Sequence, residues 1–169
     1  MYRLENINAL NWINPAGSYL VLISPEAIPH LAILHKGRYF SLTHKKAHVN
    51  EDFKPYFDFL KRTGRSVLFV RLNHEMHEIQ AAFEQYEKAV VGKTTCLHPI
   101  RDLLAPRSHA AYIFELLPEL ESKGMVAETQ HINMDDLLDQ KGGFELNTYD
   151  KDSIFAYIET LNEKHAKRG

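Results

Sequence analysis

Ten histidines and a single cysteine are the residues of this chain with the most reactive chemistry to offer. Cys96 stands in VGKTTCLHPIRDLL, Val91 to Leu104, behind a glycine and two threonines and ahead of an apolar run with helical spacing, Ile100, Leu103 and Leu104. That pattern predicts a helix beginning at a thiol. Thr94 or Thr95 can accept a first-turn backbone N–H, and Pro99 is tolerated because first-turn N–H groups have no intrahelical partner. A thiol on that turn feels the positive end of the helix dipole, which favours the thiolate, the nucleophilic form. The bland role beside it is that of a small buried hydrophobe, the commonest fate of an isolated cysteine.

A thiol hydrolase needs three further things: an imidazole to move the proton, a polar group to orient that imidazole, and donors for the oxyanion. The backbone N–H groups at the helix start can be the donors. His30 is the candidate base, because it opens a strand-like run directly after the Pro25 to Pro29 loop, where a side chain can face a cleft at a sheet end. Its bland alternative is a half-exposed histidine on a hairpin. His44 shares His30's strand parity in an unbroken count and is the candidate orienting group, with Thr43 and Ser41 as fallbacks.

Other groupings carry less. His74 and His77 stand three apart with Glu75 and Glu78 between and beside them, within reach of one metal, but HExxH is absent and a solvated polar face explains them. Cys96 and His98 lack zinc-finger spacing, and no second cysteine exists to complete a structural site; His98 either shares the Cys96 cleft or caps the helix. The aromatic set around Tyr39, Phe53, Tyr56 and Phe57 reads as core, since helical spacing explains most of it. Gly142-Gly143 reads as a turn, without the lysine of a phosphate loop. No metal or other cofactor is expected.

The elements that must position these residues follow from periodicity. Residues 1–16 read as a short helix or an irregular lead-in. Tyr19 to Ile23 is a buried strand, and His30 to His35 with Tyr39 to His44 form a hairpin across Lys36-Gly37-Arg38. Asp52 to Thr63 is a helix stopped by Gly64, and Ser66 to Leu72 another buried strand. Asn73 caps a long helix from His74 to about Val91, ended by Gly92. After the Cys96 helix comes one around His109 to Lys123, with Pro118 interrupting it, then a short helix from Met134 to Leu138 capped by Asn133. Phe144 to Tyr149 reads as a strand, and Asp150 caps a final amphipathic helix whose basic tail, Lys164 to Arg168, complements its dipole. The sum is an α+β domain, a small antiparallel sheet with packed helices.

Length and composition bound the rest. At 169 residues, 44% hydrophobic and 25% charged, the chain holds one domain, residues 1–169, with a substantial core and no disordered character. A net charge of −2 gives no basic face for nucleic acid, so no nucleic-acid partner is expected. No apolar run approaches the roughly 18 residues of a transmembrane segment. With one cysteine and no secretory leader, the expected location is cytoplasmic.

The order of motifs carries a resemblance. A strand after Gly17-Ser18, a second opening with histidine in PHLAILHKGRYFSLTH, then SVLFVRL, a helix, and a helix-start cysteine in TTCLHPIRDLL resemble the circularly permuted papain-like hydrolases. These include the permuted NlpC-type peptidases and the lecithin retinol acyltransferase family. The similarity covers roughly Gly17 to Leu104, and GMVAETQHINMDDLLDQKGGFEL is similar to the C-terminal part of bacterial members. The resemblance implies a permuted papain-like fold, Cys96 as nucleophile, His30 as general base and a third polar residue, for which His44 is the nearest match. The chain departs from the family in having Gly17-Ser18 where Gly-Asp is usual, and Leu42 at the usual place of the third polar residue. The expected function is cleavage or transfer of an amide or ester acyl group through a thioester, on a peptide or acyl substrate. The alternative is an inactive binding or scaffold module of the same fold.

Overall fold

The computed structural model describes residues 2–168, without the side chains of 162 and 164–168; the basic character expected of the Lys164 to Arg168 tail lies outside the described side chains. Nine strands form two sheets: β1 (Tyr2–Leu4), β2 (Asn8–Ala9), β3 (Ser18–Ile23), β4 (His30–His35), β5 (Arg38–Leu42), β6 (Ala47–Asp52), β7 (Val67–Leu72), β8 (Val126–Ile132) and β9 (Phe144–Leu146). The helices are α1 (Lys54–Arg62), α2 (Ile79–Glu84), α3 (Leu97–Leu104), α4 (Ile113–Ser122) and α5 (Lys151–Arg168). The main sheet has seven strands in the order β2-β8-β7-β3-β4-β5-β6, and β1 pairs with β9 in a separate ribbon. The α+β class holds, with a sheet larger than expected and antiparallel throughout except for the parallel β2–β8 pair.

The central strands are apolar on both faces because both faces are covered. Alternation sends Leu20, Leu31, Ile33 and Leu68 to one side, where α2, α3, α4 and the β1–β9 ribbon pack. Val21, Ala32, Leu34 and Phe69 go to the other, against α1 and its aromatic residues. The β4–β5 hairpin turns on Lys36 and Gly37, both at positive φ (50° and 78°), the pairing that a two-residue turn matched to strand twist requires.

Several expected elements take another form. The lead-in is neither helical nor irregular throughout: it supplies β1 and β2. The long helix from His74 shrinks to α2. Asn73 gives its N–H to the Met125 carbonyl at 2.7 Å, Glu78 takes a left-handed φ of 58°, and Ala89 N–H bonds Thr43 O at 2.8 Å, so tertiary hydrogen bonds hold both flanks out of helix. Met134 to Leu138 is a set of turns. Asn133 does not cap it, because its φ is 59° and its Nδ2 donates to Leu60 O and Arg65 O, 3.2 and 2.9 Å away. Pro118 does not split α4; it lies inside it, on the exposed side. The strands β6 and β8 were not expected.

Candidate active site

Two clusters lie at the end of the sheet where β4 begins. The first is built around Cys96, the residue preceding α3. Thr95 Oγ1 accepts the first helical N–H, that of Leu97, at 3.3 Å, while His98 Nδ1 folds back to accept the Thr95 N–H at 2.9 Å and so ties the helix to the residue before its cap position, Cys96. Thr94 is occupied elsewhere, its hydroxyl taking the Val90 N–H at 3.0 Å. The Leu97, Ile100 and Leu104 stripe sinks into the core and anchors α3 against the sheet.

The thiol is half-buried in a narrow slot with Leu31, Pro29, Ile113, Tyr149 and Ile154 on its walls. β4 pairs with β5 only from Ala32 onward, and at Leu31, just beyond that ladder, the backbone N–H bonds the sulfur. Burial nevertheless pushes the Cys96 thiol up to about 11, against the opposing pull of the Leu31 and Cys96 N–H groups. The expected dipole-stabilised thiolate is therefore outweighed by desolvation, and at neutral pH Cys96 is a thiol. The neighbouring Tyr149 hydroxyl is held well above its ordinary value, first by burial and then by the Cys96 charge.

The second cluster contains His30. As the first residue of β4, paired with Ile23, it shares the parity of Ala32 and Leu34 and so faces the α1 side, whereas α3 lies on the other. Its ring is pushed down to about 4 by burial, and then by His48 and His44, whose positive charges would face it. His30 is thus neutral at neutral pH. His44, from beyond the end of β5, and His48, from β6, both lie close enough to His30 to act on it electrostatically; the shared strand parity expected of His30 and His44 does not hold, because Ser41 is the residue opposite Ala32. No hydrogen bond joins His30 to Cys96 among the described residues; the two share an end of β4 but not a face.

Around His48 lies a network that sequence reasoning missed. Its Nδ1 is 2.9 Å from Glu51 Oε2, and the Tyr56 hydroxyl donates to the same oxygen at 2.6 Å. Burial raises the Glu51 carboxyl, but the hydrogen bonds from Tyr56 and His48 more than offset it and leave it below the ordinary range. Ser41, opposite Ala32, is fully buried on this face. The one available signal for this network was the alternation of Val49 and Glu51 against His48 and Asn50, too polar to mark a strand.

His74 and His77 are exposed in the loop before α2, and no three His, Cys, Asp or Glu side chains among the described residues are grouped to hold a metal. Comparison of the chain with known protein families, characterised proteins and solved structures finds no match. No helix among the described residues is long and apolar enough to cross a membrane.

Proposed function

We propose that this chain is a cysteine-dependent hydrolase or acyltransferase of permuted papain-like architecture, with Cys96 attacking an amide or ester carbonyl and carrying the acyl group as a thioester. The observation that supports it is the half-buried thiol at the start of α3, beside the Leu31 N–H at the end of β4 that His30 opens. The order of histidine strand before cysteine helix supports the permuted architecture.

In this reading His30 is the base and His44 its orienting group. Both partners start uncharged, so the imidazole takes the thiol proton as the sulfur attacks and returns it to the departing amine or alkoxide; water or an acceptor alcohol then releases the acyl group. His30 stands on the α1 face and the sulfur on the other, so this reading requires a rearrangement at the start of β4. The apolar walls of the slot, Ile28, Ile113 and Ile154, favour an apolar group next to the scissile bond.

Incubation with an activated aryl ester and intact-mass analysis tests this. The expected result is one acyl group on Cys96, absent in Cys96→Ala and formed at least about a hundredfold more slowly in His30→Ala, the ordinary scale of a general base. Unchanged acylation in Cys96→Ala sinks the reading.

The opposite faces of Cys96 and His30, together with the raised thiol, favour a second reading: a binding or scaffold module that keeps the architecture without the chemistry. Iodoacetamide distinguishes it, since a native thiol inert until unfolding, with no ester turnover, is what that module would show.

A further inference from the structure

The other end of β3 and β4 carries a cleft that the proposed chemistry does not use. It measures about 330 Å³ and is lined by Gly17 and Ser18 at the start of β3, His35 and Lys36 at the end of β4, Arg71 of β7, and the loop from Asn73 to His77. That volume lies at the lower end of small-ligand sites. We propose that this cleft binds a small anion, a molecule presenting a phosphate or a carboxylate.

The wall is built to donate. Ser18, only 9% exposed, has its hydroxyl 2.6 Å from His35 Nδ1. With Ser18 donating, the neutral imidazole keeps its proton on Nε2 as a donor. Burial and then the Lys36 charge lower the affinity of His35 for a second proton, which favours the neutral ring. Lys36 and Arg71 add two permanent cations. Arg71 gives Nη1 to Glu128 at 3.3 Å, on the exposed rim, which leaves its remaining N–H groups free of that contact. Asn73 adds an amide, and His74 and His77 two further imidazoles, against Glu75 as the sole carboxylate of the lining. A ligand with negative charge and several acceptor oxygens matches this set; a cation does not, and the histidines are not grouped to hold a metal.

The cleft also depends on Gly17. A Cβ there would sit 3.0 Å from the Tyr19 ring and 3.3 Å from the Asn14 carbonyl, so any other residue at the approach to Ser18 requires these neighbours to give by a few tenths of an ångström. On the far side, buried Met76 pins the loop whose polar residues complete the wall.

The test follows the His35 ring by NMR in the full chain as inorganic phosphate or succinate is added at fixed ionic strength. A saturable shift is expected with at least one of them, weakened about tenfold or more, ~1.4 kcal/mol, in the Lys36→Gln, Arg71→Gln double variant. Both substituted positions are at the cleft rim, and an unchanged amide spectrum elsewhere establishes that the variant is folded. Saturation by phosphate alone assigns a phosphate-bearing ligand, and by succinate alone a carboxylate. A shift that stays linear with both probes, or saturates identically in the double variant, overturns the proposal.

Discussion

His30 and Cys96 are held neutral by the same cause, the removal of water, although they titrate in opposite directions. For His30 the folded state binds fewer protons than the unfolded chain between about 4 and the ordinary 6.5. Stability is therefore fully present above that window and falls as pH drops through it, by about 3 kcal/mol at ~1.4 kcal/mol per pKa unit. Denaturant titrations at pH 7 and pH 4 are expected to show this loss, and His30→Gln to remove most of it; equal losses in both proteins would place the acid sensitivity elsewhere, with His44 and His48 next to be replaced. For Cys96 the thiolate fraction sets alkylation. The native rate is expected to rise with pH toward a midpoint near 11, whereas the urea-unfolded chain should titrate near the ordinary 9. Coincident profiles would mean that the slot does not shield the sulfur.

At the level of elements, burial decides which substitutions matter. Ile100 is fully buried where α3 meets the sheet, so Ile100→Ala is expected to cost about 2–5 kcal/mol, while Phe59→Ala, on the outer face of α1 and 48% exposed, should stay within about 0.5 kcal/mol. Chemical denaturation of the two variants checks the contrast. Pro118 offers the reverse case. It removes one N–H from the interior of α4 and is exposed, so Pro118→Ala is expected to stabilise by about 1–3 kcal/mol, read as a higher melting temperature.

The same distinction explains what could be read from sequence. α1, α3 and α5 advertise themselves by local means: the apolar spacing of Tyr56, Phe57 and Leu60, the Thr95 hydroxyl accepting the Leu97 N–H, and Asp150 Oδ1 accepting the Ser153 N–H at 2.8 Å. β3, β4 and β7 were legible as apolar runs because both their faces are covered. The segment from His74 to Val91 has helical periodicity too, yet its outcome is set by partners distant in the chain, Met125 and Thr43, that no window of sequence contains. β6 and β8 are polar on much of their length and are strands because neighbouring strands complete their hydrogen bonds. For the site, Cys96 at a helix start was readable from spacing, whereas the parity count from His30 to His44 does not survive the turn: Ser41 lies opposite Ala32, so Tyr39 and Ser41 share His30's face of the hairpin, and His44 comes near it from beyond the end of β5. That His30 and Cys96 face opposite ways depends on the side of the sheet to which α3 returns, a tertiary fact.

Over the whole molecule, the single tryptophan lies outside the core: Trp12 is 67% exposed. Its emission maximum is expected to move little when the protein unfolds, so circular dichroism should report a transition that tryptophan fluorescence largely misses; a strong blue-shifted native emission would contradict the placement of the Leu10 to Asn14 segment.

The pairing of the first strands has a consequence for how the chain acquires its shape during synthesis. Tyr2 lies opposite Leu146 and Asn8 opposite Gln130, so β1 and β2 have no strand partners until β9 and β8, far later in the chain, have been made. Closing loops of that length gains nothing until it is complete, which makes these contacts late and slow relative to the β3–β4–β5 hairpins. A nascent chain stalled between β8 and β9 would hold all seven strands of the main sheet but leave β1 without β9, so the side of the core that this ribbon covers would stay open, the form of this protein most in need of a chaperone.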